Sequence, residues 1–255
     1  MNQISSPANI PISAGGICLN MIVRDEQDVI ERCLRSAIPH IHSWCIVDTG
    51  STDRTKELIV RTMAGIPGQL HERPWVNFAH NRNEAWELAL ERRPSYLMFM
   101  DADEELAIDG SMPTLGNDAY LIAVHYQGQL ENRFWMVRSD YPHRWVGARH
   151  EDIESHGSIA KVLGTMIVSH SDGARAKNRA KAGADDVEAL LKMISEEPEN
   201  PRHWYYLGAT HVSMGNMNEA EQAFAVRAKM AGNERELMKA KSFLDFYRRT
   251  QTVGA

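Results

Sequence analysis

Ser95-Tyr-Leu-Met-Phe-Met-Asp-Ala-Asp-Glu-Glu105 is an apolar run that stops on two carboxylates with one residue between them. Tyr96 to Met100 is nearly all apolar, the pattern of a strand covered on both faces of a sheet. Asp101 and Asp103 then leave its C-terminal end, where open α/β sheets place ligands. Residues two apart in an extended chain point the same way. Two hard oxygen donors on one side can share a divalent cation and the phosphates it neutralises. An EF-hand loop would need Gly and Glu where this chain has Leu106 and Met112. A haloacid-dehalogenase-type phosphatase would want Thr or Val at Glu105. A strand end with solvated carboxylates is the plain alternative.

Upstream the same grammar recurs. Gly16 to Val23 reads as a strand, and Val29, Ile30, Cys33, Leu34, Ala37 and Ile38 recur at helical spacing. Trp44 to Val47 is a second strand ending in Asp48, followed by the turn Thr49-Gly-Ser-Thr-Asp-Arg54. Thr52 or Asp53 can cap a helix running to Ala64. Asp48 could accept a pyrimidine ring N–H or a ribose hydroxyl. Phe78 to Arg92 reads as a helix with Phe78, Ala85, Trp86 and Ala89 on one stripe. Strand and helix alternating with short joints predict a parallel, right-handed α/β layer. Beyond Asp109, Ala119–Tyr126 and Arg133–Arg138 read as antiparallel strands, and Val162–Val168 as another, ending near His170.

From Gly183 onward the pattern is helical. Trp204-Tyr-Tyr-Leu-Gly208, the Gly215-Asn216 turn and Ala220-x-x-x-Phe224 resemble a tetratricopeptide unit. Such a unit hides its apolar face only by stacking, so these helices either buttress the domain before them, bind a protein partner or self-associate. The expected division is a leader over 1–15, an α/β domain over 16–173, a charged linker over 174–182 and a helical region over 183–255.

The 255 residues are 43% hydrophobic and 24% charged, with a formal net charge of −6. That balance argues against non-specific nucleic-acid binding and against a polybasic membrane anchor. Cys18, Cys33 and Cys45 lack metal-type spacing and suit a reduced, cytoplasmic protein. No signal peptide or membrane-length apolar run is visible, so stable membrane insertion is not expected.

Four motifs, Met21-Ile-Val-Arg-Asp-Glu26, Val47-Asp-Thr-Gly-Ser-Thr-Asp53, Ala79-His-Asn-Arg-Asn83 and Met100-Asp-Ala-Asp-Glu104, occur in that order. Together they resemble family 2 glycosyltransferases of the GT-A fold over about residues 16–170. One departure is Asp25-Glu26, where relatives often carry Asn-Glu. The resemblance implies a mostly parallel central sheet with helices on both faces, followed by the helical region. It implies a nucleotide-sugar co-substrate, UDP-linked by preference, a divalent metal (Mn2+ or Mg2+), and inversion at the anomeric carbon. Met21, Val23, Arg24 and Glu26 would wall the nucleotide, and Asp48 would read its base. Asn81 and Arg82 would contact the diphosphate or sugar. Asp101 and Ala102 would line the donor site, with Asp103, Asp101 and His170 toward the metal and Asp103 the more direct ligand. The string Trp145-Val-Gly-Ala-Arg-His-Glu-Asp152 resembles the acceptor-side His-Glu pair of relatives. It offers Glu151 first, then Asp152 and His150, as the base that deprotonates the acceptor hydroxyl. Trp135 and Trp145 either stack on a sugar or belong to the core. The acceptor could be a protein, a saccharide or a small molecule. Two rivals stay open. One is a sugar nucleotidyltransferase, though Ala14-Gly-Gly16 has no basic residue before Arg24. The other is a repeat-bearing adaptor with a vestigial sugar-nucleotide site.

Overall fold

The computed structural model describes residues 15–109, 112, 114–147 and 152–253. They form two compact units, one made of residues up to Val146 with Asp152–Lys177 and one made of the residues from Asn178 onward together with Gly147.

The first unit is built on an eight-stranded sheet of order β3-β2-β1-β4-β7-β6-β10-β5. Its strands are β1 (Ile17–Val23), β2 (Ser43–Asp48), β3 (Gly68–Glu72), β4 (Tyr96–Phe99), β5 (Glu104–Ile108), β6 (Ala119–Tyr126), β7 (Gln129–Arg138) and β10 (Ile159–Ser169). β3, β2, β1 and β4 run parallel. β7 turns antiparallel against β4 and β6, and β10 runs parallel to β6 but antiparallel to β5. β8 (Arg144–Val146) and β9 (Asp152–Glu154) make a separate antiparallel ribbon.

Strand alternation sorts the core onto two faces. Leu19, Met21, Ile46 and Met98 face one way, toward α1 (Ile30–Ala37) and α2 (Thr55–Thr62). Cys18, Cys45, Leu97 and Phe99 face the other way, toward α3 (Phe78–Leu90). α1 buries Ile30, Cys33, Leu34 and Ala37, the predicted stripe. Asn77 caps α3, its side chain accepting from the His80 N–H. The buried Asn20 ties α3 to the sheet, its amide donating to Ala85 O at 2.8 Å and Cys45 O at 3.3 Å. The strands and helices expected from periodicity are present, α2 and α3 each ending two residues early.

Four strands escape the periodic reading. β3 is a polar sheet edge, Gly-Gln-Leu-His-Glu, so it carries no apolar alternation. β5 begins within the acidic string, and β8 and β9 are three residues each. The 174–182 stretch read as a linker carries α4 (Ala174–Lys177) and the start of α5 (Arg179–Glu196). Asn178 caps α5 through Lys181 N, and Ala, Lys and Arg are good helix formers.

The second unit consists of α5, α6 (Pro201–Met214), α7 (Met217–Arg227) and α8 (Glu234–Val253), each packed on the next. Leu190, Ile194, Leu207 and Ala223 form one core, and Ala220, Phe224, Ala240 and Leu244 another. Gly208 lets Phe224 approach, since a Cβ there would lie 2.7 Å from its ring. Gly215 ends α6 in the left-handed region, with Asn216 N–H returning to His211 O at 2.9 Å. Among the described residues no helix is long and apolar enough to cross a membrane.

A Cβ at Gly68 would fall 2.3 Å from the Trp44 indole, which is 6% exposed and hydrogen-bonded to Ile66 O. Gly68→Ala is therefore expected to cost about 1–3 kcal/mol of unfolding free energy by urea titration, the usual range for overpacking.

Candidate active site

Parallel pairing brings the C-terminal ends of β1, β2 and β4 to one rim, with Val23 opposite Asp48 and Asn20 opposite Phe99. The loops after β1 and β2 are hydrogen-bonded into one piece. Asp25 N–H donates to Ser51 Oγ at 2.9 Å, Glu26 N–H to Thr55 Oγ1 at 2.7 Å and Gln27 N–H to Asp53 Oδ2 at 3.2 Å. In return Thr52 N–H donates to Asp25 Oδ1 at 2.7 Å and Arg54 N–H to Gln27 Oε1 at 3.2 Å. Asp25 has φ +54°, a left-handed conformation that Asp and Asn tolerate. The departure from Asn at this position thus keeps both the backbone shape and an acceptor for Thr52. Of the two expected caps, Asp53 serves α2, accepting from Thr55 N–H at 2.9 Å, while Thr52 faces Asp25.

Asp48 is fully buried. Its Oδ1 accepts Gly50 N–H at 3.0 Å and Ser51 N–H at 2.8 Å, and its Oδ2 has no hydrogen-bond partner among the described residues. The Gly/Ser/Thr turn therefore holds one carboxylate oxygen and leaves the second unmatched at the strand tip.

The acidic string after β4 separates into two electrostatic groups. Asp101 Oδ1 accepts from Arg82 of α3, and Asp101 Oδ2 from Arg133 of β7 at 3.3 Å. Glu104 Oε2 accepts Asp101 N–H at 2.8 Å and Arg133 Nη2 at 2.7 Å. Burial works to raise the Asp101 pKa, but Arg82 and Arg133 prevail and hold it below the usual carboxylate range. Glu104, 2% exposed, is pushed up by burial and by Asp101, against the pull of Arg133.

Asp103 and Glu26 form the second group. Both flank Gly173, where a Cβ would lie 2.9 Å from Glu26 Oε2 and 3.3 Å from Asp103 Cβ. Neither joins an ion pair among the described residues. Burial raises the Asp103 pKa, and the neighbouring Asp101 raises it further. Glu26 is pushed up to about 7, mainly by burial, with Asp103 and Asp101 adding and the Ala174 N–H opposing. Two carboxylates made reluctant to ionise, side by side, mark a place that favours added positive charge.

The remaining predicted residues are dispersed around this rim and beneath it. Met21, Val23 and Ala102 are buried in the core beneath the rim, and Arg24 is exposed beside Asp25. Arg82 is buried and also stacks on the Trp145 ring at 5.3 Å. The Asn81 amide is engaged by backbone, accepting from Val76 N–H at 2.9 Å and donating to Pro74 O at 3.0 Å. It shapes the loop before α3, and its amide is already occupied as a donor contact. His170 donates its backbone N–H to Asp103 O at 3.1 Å, yet its imidazole pairs with Glu105 at 3.1 Å, away from Asp103. Among the described residues no three His, Cys, Asp or Glu side chains converge to hold a metal. Asp152 is exposed on β9, and His150 and Glu151 lie outside the described residues. Trp135 and Trp145 are core residues, 0% and 5% exposed.

Two residues were missed by the motif reading. Glu104 stood inside the quoted string with no role assigned. Arg133 sits two residues before the fully buried Trp135 in β7. A charged side chain in step with a core tryptophan was the available signal.

The chain was compared with known proteins. Glycosyltransferase SunS of Bacillus subtilis is 21% identical over 245 residues, covering 90% of this chain and 56% of SunS. A TPR repeat-containing protein of Synechococcus elongatus is 36% identical over 94 residues, covering 36% of this chain and 22% of that protein. The chain thus spans about half the length, or less, of the curated relatives it matches. TarS of S. aureus aligns in structure with a TM-score of 0.51 at 12% identity, over 91% of this chain and 54% of TarS. Its 1–349 fragment gives 0.50 at 12% identity, over 92% and 91%. These likenesses bear out the expected α/β architecture followed by helices. The model of Glycosyl transferase family 2 matches residues 18–163, more than half of the chain, and the chain belongs to that family.

Proposed function

We propose that this protein transfers a sugar, with inversion, from a nucleotide-diphosphate donor to a hydroxyl acceptor, and that UDP is the favoured carrier. The observation that carries this reading is the Asp103–Glu26 doublet, which joins no ion pair among the described residues and lies on the same rim as the buried Asp48. A divalent cation, Mn2+ or Mg2+, fits there by the chemistry of the donors. Such ions commonly take one or two carboxylates and complete their shell with water and substrate phosphates. When bound, the cation supplies Lewis-acid neutralisation of the departing diphosphate.

The chain's own residues supply the rest. Asp48 Oδ2, unpartnered, accepts a ring N–H of the base, and the Oδ1 bonds to Gly50 and Ser51 hold it still. Arg82, fixed between Asp101 and Trp145, aims a permanent positive charge at the rim. Glu151 is our first choice to take the acceptor proton, ahead of Asp152 and His150. The catalytic role belongs to residues 16–173, with the helices of 183–255 buttressing or binding a partner. Three buried, unpaired cysteines suit a reducing, cytoplasmic setting.

A screen of UDP-, GDP- and dTDP-sugars with Mn2+ is expected to show UDP release. No release of nucleoside diphosphate with any donor would overturn the proposal. Asp103→Asn is expected to lower turnover by about 10²-fold or more, with an unchanged or higher Tm because a repelled carboxylate is removed. Asp48→Ala is expected to weaken UDP binding about tenfold by calorimetry, the loss of one charge-assisted hydrogen bond.

Glu26 sets a pH dependence whose sign follows from its raised pKa. The folded protein holds a proton on Glu26 that the unfolded chain releases near its ordinary value. The metal-free protein therefore loses stability as pH rises through the window from about 4.5 to about 7. Urea titrations at pH 5 and pH 7.5 are expected to show this loss, and Glu26→Gln to reduce it.

A further inference from the structure

Arg133 and Glu104 have no assigned role, yet both converge on Asp101. The Arg133 guanidinium bridges Asp101 Oδ2 at 3.3 Å and Glu104 Oε2 at 2.7 Å. The same Glu104 oxygen accepts the Asp101 backbone N–H at 2.8 Å. Glu104 thus grips Asp101 twice, by its backbone directly and by its carboxylate through Arg133. With Arg82 on Oδ1, each Asp101 oxygen accepts from an arginine. The formal charges of Asp101, Glu104, Arg82 and Arg133 sum to zero. Coordinating a cation through Asp101 would require breaking a bond to an arginine, whereas Asp103 and Glu26 have no ion pair with a basic side chain to break among the described residues.

We propose that Arg133 and Glu104 are positioning residues of the donor site: they hold Asp101 in a two-arginine clamp that keeps it off the cation and directs the cation to Asp103 and Glu26. This rests on reading the rim as a cation–diphosphate site. The clamp also keeps Arg133, which is 35% exposed, in position to add a second positive charge toward a diphosphate. Its two functions respond oppositely to mutation. Removing the Arg133 charge frees Asp101 and makes the rim more negative, which favours Mn2+ and disfavours UDP. Removing the Glu104 charge does the reverse for Mn2+, while glutamine can still accept the Asp101 N–H.

Calorimetry on the full chain tests this, with Mn2+ alone and then UDP at saturating Mn2+. Arg133→Gln is expected to bind Mn2+ about threefold tighter or more and UDP about threefold weaker or more, the scale of one partly screened charge. Glu104→Gln is expected to bind Mn2+ more weakly. Arg133→Lys, which keeps the charge without the fork, is expected to hold Mn2+ affinity near that of the unmutated protein and to recover part of the UDP affinity. Wild-type constants in both glutamine variants, or a weakening of both ligands in step with a lowered Tm, would overturn the inference and reduce the clamp to a structural one. Failure of the unmutated protein to bind Mn2+ and UDP would instead remove the cation–diphosphate reading, and this inference with it.

Discussion

Negative charge crowded onto one sheet rim is the constraint around which the first unit is organised. Asp48, Asp101, Asp103, Glu104 and Glu26 all come from strand ends or the loops that leave them. Two like charges about 4 Å apart repel by roughly 4 kcal/mol at an effective dielectric near 20. The fold meets this in three ways. Asp48 receives two backbone N–H groups on one oxygen. Asp101 and Glu104 receive two arginines. Asp103 and Glu26 receive no counter-ion from the described residues, and their pKa values rise accordingly. The third solution costs stability in the metal-free state, and functional sites commonly carry that kind of cost.

Chain segments distant in sequence enforce this arrangement. The segment after β10 lies along the rim, where Asp172 takes both Arg32 nitrogens at 2.7 and 2.9 Å and Lys177 pairs with Asp28 at 2.7 Å. Ala174 N–H reaches Glu26 at 3.0 Å, and Gly173 leaves the space a side chain would take from Glu26 and Asp103. Arg175 stacks on Phe78 at 5.1 Å, joining the segment to α3 on the opposite face of the sheet from α1. The rim therefore depends on β1, β2, β4, β7 and a stretch about 150 residues after the first of them.

Most of this architecture was legible in residue patterns. Apolar periodicity located α1, β1, β2 and β4, because each buries a regular stripe or both faces. β3 was not legible, since a polar edge strand is stabilised by its ladder to β2 and by Trp44 folding over Gly68. The acidic residues of the rim were visible as motifs, but their division of labour was not. Asn81 was placed at the donor because the Ala79–Asn83 motif resembles that of family 2 glycosyltransferases, and only the loop geometry shows its amide bonded to Pro74 and Val76. Arg133 was hidden because its partners lie 29 and 32 residues away, across an antiparallel strand that no local spacing connects to Asp101.

That last contact bears on why an aspartate pair should be asymmetric at all. In an ideal strand, residues two apart are equivalent, and a cation could choose either carboxylate. β4 ends at Phe99, so Asp101 and Asp103 emerge into a turn rather than a strand, and Glu104 N–H closes that turn on Asp101 O at 3.1 Å. The turn points Asp101 back toward β7 and α3, where the arginines stand, and sends Asp103 outward to Glu26. Glutamate at position 104 contributes to making two chemically identical side chains unequal: it accepts the Asp101 N–H in the turn and pairs with Arg133, one of the two arginines on Asp101.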